Sequence, residues 1–367
     1  MLNINCMKPL YLSIALFVTL AACQDSGSPS PTPQTPGPGA NSGNNANRDW
    51  LIPQAQVFDG GPGKDGIPAL ENPERIQPAQ ASYLEPQDLV VGYVSDGEAV
   101  AYPHKILDWH EIINDKVGSD AVAITYCPLT GTGIGWSRVI NNEETTFGVS
   151  GLLYNTNLIP YDRATDSNWS QMRLDCVNGE LQGEKVVTLP VVETTWATWQ
   201  QMYPNTKVIS TNTGFSRNYQ RYPYGDYRTN NANIIFPVDN EDDRLPAKDR
   251  VLGIIVGRQA KIYPVELFNG TPRLVVDSFA GKSLVVIGSQ EQNFIVAYET
   301  DGKTLEAVDN ALPIIMRDEA GNEYDAFGYA ISGPDTGNHL TPVVSYIGYY
   351  FAWQAFYPGS PIVFGLE

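Results

Sequence analysis

The chain has 367 residues, with 23 Lys and Arg against 41 Asp and Glu and a formal net charge of −18. Apolar residues make up 42% and charged residues 17%, enough to build a core over one large or two ordinary domains. The negative charge excludes nucleic acid and an anionic membrane surface as partners, since both need clustered Lys and Arg, and three His exclude a histidine-rich metal cage.

At the N-terminus, Lys8 precedes a 14-residue apolar run from Pro9 to Ala22. That run suits a secretory signal and is too short to span a bilayer, which takes about 20 apolar residues. Leu20-Ala-Ala-Cys23 resembles a bacterial lipobox, so residues 1–22 are expected to be removed and Cys23 to carry the lipid. Gln24 follows where an inner-membrane lipoprotein would carry Asp, so by resemblance to Gram-negative lipoproteins the expected address is the outer membrane, facing the periplasm. Residues 24–48 hold five Pro, four Gly and no aromatics, a tether without the apolar area to fold. The folded part is expected to begin near Trp50.

The spacing predicts a hairpin from Leu89–Val94 through the Ser95-Asp96-Gly97 turn to Tyr102, then a helix over Lys105–Asn114. On that helix Ile106, Leu107, His110 and Ile113 share one face, and His104, Asp108, Glu111 and Asp115 another. His110 is thereby turned toward the core or a cavity. Val122, Ile124 and Tyr126 then alternate as a strand that ends at Cys127 in Cys127-Pro-Leu-Thr-Gly-Thr132. A further hairpin turns at Asn141-Asn142, Cys176 lies 49 residues beyond Cys127, and a short helix fits Thr195–Met202. Residues 210–243 form a connector with Tyr219, Tyr222, Tyr224 and Tyr227.

The second half echoes the first. Asp88 to Pro103 matches Asp249 to Pro264 at an offset of 161 residues without a gap. Pro190-Val-Val192 matches Pro342-Val-Val344 at 152, and Trp199, Tyr203 and Pro204 match Trp353, Tyr357 and Pro358 at 154. Two tandem copies are expected, roughly 80–209 and 244–367, or 49–209 when the N-terminal extension is counted with the first. Copy 2 repeats the first hairpin at Gly257-Arg258, the strand at Leu284–Ile287 and the further hairpin at Asp301-Gly302. The fold class is α+β and β-rich, a pseudo-symmetric pair of antiparallel units with short helices.

Several chemistries fail on spacing. His110-Glu-Ile-Ile-Asn114 carries Asn where a zinc protease needs its second His. Gly148-Val-Ser-Gly151 is not a nucleophile elbow. No Gly-rich phosphate loop follows a strand, and Asp239–Asp243 lacks the glycine of a calcium loop. What survives is His110, Cys127 and Cys176, which fall on Thr271, Gly288 and Ala330 of copy 2 and are lost there together. A scaffold that keeps its core and drops one site gives this pattern. A structural Cys127–Cys176 disulfide, natural in an oxidising compartment, explains the pair equally well.

Gly60–Ala69, Ala101–Asp115, Thr125–Thr132, Phe147–Asn155, Tyr161-Asp-Arg163, Asn168-Trp-Ser-Gln171 and Thr213-Gly-Phe-Ser-Arg217 together resemble the bacterial DUF3179 family, from about Asp59 to the C-terminus. The resemblance implies a shared fold and no reaction. Many members carry Cys-Pro-Leu-Cys, whereas Thr130 stands here in the second Cys position, which leaves Cys176 as the partner for Cys127. Asn114, Ser150, Tyr154, Asp162 and Gln171 belong to these motifs and are expected to line a pocket with His110 and Cys127.

Three functions compete. The first is a pocket for a small ligand or a soft metal, copper or zinc, held by His110, Cys127 and Cys176. The second is a thiol enzyme with Cys127 as nucleophile and His110 as base. The third is a lipoprotein that grips a glycan or a protein through its connector tyrosines, with a purely structural disulfide.

Overall fold

Hairpin chemistry organises the chain. In the computed structural model, which describes residues 49–366, Asp96 and Gly97 take φ of 49° and 78° and join the strands Leu89–Ser95 and Glu98–Pro103. Two successive positive φ values define the turn whose twist matches paired strands. Helix α1, His104–His110, follows Pro103, and the strands Ile112–Val117, Asp120–Cys127 and Thr132–Ser137 then form a meander. A second meander runs through Phe147–Tyr154, Asn157–Asp162, Asn168–Ser170 and Asp175–Asn178. The strand Val192–Thr195 returns to pair with Leu89–Ser95, and Thr195 caps helix α2, Trp196–Met202, by accepting the Thr198 N–H.

The same order recurs beyond residue 249. Arg250–Val256 and Gln259–Pro264 form a hairpin, Ser345–Tyr349 pairs with its first strand, and helix α3, Tyr350–Phe356, follows. Registers agree as well: Val91 faces Tyr102, and Leu252 faces Tyr263. Tyr102 donates to Asp115 at 2.8 Å and Tyr263 to Asp277 at 2.7 Å. The structure is β-rich, with antiparallel sheets and three helices of seven residues among the described residues.

Two expectations need correction. The helix expected over Lys105–Asn114 stops at His110, because Glu111 adopts φ 58° and ψ −33° and the β-branched pair Ile112-Ile113 enters the sheet, where Ile113 pairs with both Leu70 and Ile124. The Asp301-Gly302 turn exists, with φ of 50° and 76°, but it closes no hairpin: Phe294–Glu299 and Leu305–Ala307 belong to different sheets.

Two of the hydrophobic cores cross the boundary between the halves. One joins Trp136, Phe147 and Trp169 to Tyr227 of the connector and to Tyr346 and Trp353. Another joins Val90 and Trp199 to Val285, Tyr298 and Phe327. The connector is part of this packing: Tyr227 donates to the Leu129 carbonyl at 2.8 Å, and the Thr156 hydroxyl donates to the Phe236 carbonyl at 2.7 Å.

Candidate functional site

Where α1 ends, it presents His110 beneath a surface cleft. The imidazole Nδ1 lies 2.7 Å from the Pro68 carbonyl oxygen, which can only accept, so Nδ1 carries the hydrogen. Nε2 is then an acceptor for the Tyr219 hydroxyl at 2.7 Å, and Tyr219 accepts from the Thr213 hydroxyl at 2.5 Å. His110 has no exposed surface, and its ring packs 5.4 Å from that of Phe215. Burial pushes its pKa down to about 4, and the positive charge of Arg217 acts in the same direction. The imidazole is therefore neutral at neutral pH, with one tautomer set by its two partners. Outside it, residues 69–74 and 212–215 wall a cleft of about 510 Å³. Thr213 and Phe215 belong to both the cleft wall and the His110 surroundings.

The cysteines are elsewhere. Cys127 ends its strand with Sγ directed at the Thr156 carbonyl, 3.7 Å away, and Cys176 directs its own at Asn178 O, 3.4 Å away. Both are free and buried. Burial pushes Cys127 up to about 11 and Cys176 up to about 12, so both are protonated thiols. The expected Cys127–Cys176 disulfide is not formed: the residues sit in different sheets, and each thiol is held by a backbone carbonyl of its own surroundings. Nor does the His110–Cys127–Cys176 metal set assemble. His110 has both ring nitrogens engaged, and among the described residues no three His, Cys, Asp or Glu side chains converge. The hydrogen bond that a nucleophile–base pair requires is not made: the His110 ring nitrogens bond Pro68 and Tyr219, and Cys127 Sγ faces Thr156 O.

Of the remaining expected pocket residues, Asn114, Ser150, Tyr154 and Asp162 are spread over two sheets and Gln171 lies in a turn. Asn114 bridges strands by donating to Phe147 O and accepting from Phe147 N. Ser150 donates to Ile159 O, and Tyr154 packs edge-on against Phe356. Asp162 accepts from Thr165 N and the Trp169 indole. Gln171 does join Cys127's neighbourhood: its carbonyl accepts from Thr132 and Asn157, and Thr130, the residue in the second Cys position, takes part in the same buried hydroxyl–amide network. None of the five shares a hydrogen-bond partner with His110. Two of the connector tyrosines, Tyr219 and Tyr227, are buried, while the half-buried Tyr222 and Tyr224 donate to Pro128 O and Glu111.

Sequence reasoning missed a polar seam on the other face of α1. Asp108 pairs with Arg228 of the connector. Glu193 pairs with Arg250 of the second half at 2.6 Å and lies 3.5 Å from His104 Nε2. Glu111, 7% exposed, accepts from Tyr224 at 3.3 Å. The spacing of His104 and Asp108 on one helical face is visible in the sequence, but their partners, Glu193 for His104 and Arg228 for Asp108, come from distant segments of the chain. A family model described as "Protein of unknown function (DUF3179)" matches residues 64–360. No curated protein matches the chain, and no solved structure does.

Proposed function

Since the chain belongs to the DUF3179 family, whose description assigns no activity, we propose from the site itself that this is a small-ligand-binding lipoprotein of the cell envelope. Cys23 carries the anchor in this reading, in the outer membrane facing the periplasm, and residues 24–48 tether the folded part. The supporting observation is the hydrogen-bonded chain Thr213–Tyr219–His110–Pro68 behind the cleft of residues 69–74 and 212–215. Such a chain, with a neutral imidazole of defined tautomer, holds the cleft wall in one conformation before a ligand arrives, which lowers the ordering cost of binding.

Cleft chemistry narrows the ligand. Phe215, 42% exposed, offers an apolar ring beside the amides of Asn72 and Asn212 and the carboxylates of Glu71 and Glu74. A net charge of −18 disfavours an anion. A sugar ring, with an apolar face and several hydroxyls, suits both walls. The engagement of both His110 ring nitrogens by Pro68 and Tyr219 supports this reading over a soft-metal site or a Cys127–His110 pair.

The test is saturation-transfer NMR with a panel of soluble mono- and oligosaccharides. Binding that is lost at least tenfold in Phe215→Ala and Thr213→Val, with unchanged melting temperature, supports the reading. Binding untouched by both variants, or no binding across the panel, rejects it.

A further inference from the structure

The hydrogen that Pro68 holds on His110 fixes the hydrogens of the cleft wall. With Nδ1–H given to the Pro68 carbonyl, Nε2 accepts from Tyr219, and Tyr219 accepts from Thr213. The Thr213 hydroxyl has therefore spent its one hydrogen behind the wall. Its oxygen also accepts the Phe215 N–H at 3.3 Å, which leaves one lone pair for a ligand. Thr213 lines the cleft, so it asks that ligand for a donor.

The acidic lining asks for the same thing. Glu71 pairs with Arg163 at 2.7 Å, so its charge is met inside the chain. Glu74 is different: its Oε2 accepts from the uncharged Asn212 amide at 3.0 Å, and among the described residues no cation pairs with it. Neighbouring Arg75 is committed to Glu98 and Asp115, at 2.7 and 2.6 Å, and Arg217 stacks on Trp109 without lining the cleft. Glu74 Oε1 is thus a charged acceptor without a counter-ion, in a cleft whose exposed ring is Phe215. A neutral sugar supplies donors but leaves that charge unmet, whereas a protonated amine supplies donor and charge together. Resting on the sugar-cleft reading above, we infer that the ligand is an amino sugar with a free amine, its ammonium met by Glu74 and Thr213 and its ring by Phe215. The Asn72 amide, which both donates and accepts, suits the neighbouring hydroxyls.

Calorimetric titration of the full chain carrying Cys23→Ser, so that no acyl group contributes, tests the inference with glucosamine, glucose and N-acetylglucosamine. The pH is held at about 6, where the amine is protonated. Glucosamine should bind about fivefold tighter than the other two, the scale of one exposed charge pair. Glu74→Gln keeps an acceptor for Asn212 and removes the charge, so the preference should vanish there while glucose binding stays unchanged. Glu306→Gln removes the same charge from an exposed position outside the cleft and should keep the preference. Equal binding of glucosamine and glucose overturns the inference and leaves the sugar-cleft reading standing. So does a preference that survives Glu74→Gln, or one that falls as far in Glu306→Gln. Binding of none of the three also overturns it, and the wider saccharide panel then decides the sugar-cleft reading separately.

Discussion

Glu111 sits where a carboxylate is costly. It ends α1 with a positive φ, is almost fully buried and meets one phenol, so burial pushes its pKa up to about 8, with the charge of Asp108 adding to the rise. A raised pKa means that the folded state holds the proton after the unfolded chain has lost it. The associated stability is complete below the ordinary carboxylate pKa near 4.3 and is lost as pH climbs through about 8. His110 works in the opposite sense, since its lowered pKa withdraws stability as pH falls from about 6.5 toward about 4. Glu111→Gln should therefore leave stability near parental at pH 4 and raise it by about 1–3 kcal/mol at pH 9, measured by urea unfolding at both values. The His110 contribution is common to both proteins and cancels. An equal change at the two pH values would contradict the assignment.

At the scale of elements, the hairpins were readable because their turns demand particular residues, as Asp96-Gly97 shows. Helices α2 and α3 sit on those hairpins by a device that periodicity does not reveal. A Cβ on Gly92 would fall 2.2 Å from the Trp199 ring, and one on Gly253 would fall 2.3 Å from the Trp353 ring. Each tryptophan thus lies flat on a glycine, and the helix approaches its sheet closely. Gly92→Ala and Gly253→Ala should each destabilise by about 1–3 kcal/mol through overpacking, scored by thermal melting. Stability within about 0.5 kcal/mol of the parent for either would refute the contact. Helix α1 was overextended for a related reason. A 3.6-residue pattern continued past His110 on paper, but the pairing of Ile113 with Leu70 and Ile124 made the β conformation the better use of those side chains.

The whole molecule is held by shared cores. Trp169 and Trp353 belong to one cluster and Trp199 and Phe327 to another, so these aromatics are buried between the halves. The salt bridges Arg228–Asp108 and Arg250–Glu193 tie the connector and the second half to the first. Fragments 49–209 and 244–367 expressed separately should accordingly fail to fold, lacking near-UV circular dichroism and amide protection. A cooperative melt of either fragment would show that its own apolar surface suffices.

Composition, turn residues and the 161-residue echo by themselves determined a β-rich chain with antiparallel hairpins and a short helix bearing His110, because these follow from local conformation and side-chain period. Which polar groups meet was decided by the tertiary structure. His110 is completed by Pro68 and Tyr219, 42 and 109 residues away, and the two cysteines with matching chemistry lie in different sheets. Shared residue type indicated a joint site, but contact depends on sheet order, and sheet order depends on long-range packing that no single stretch of sequence encodes.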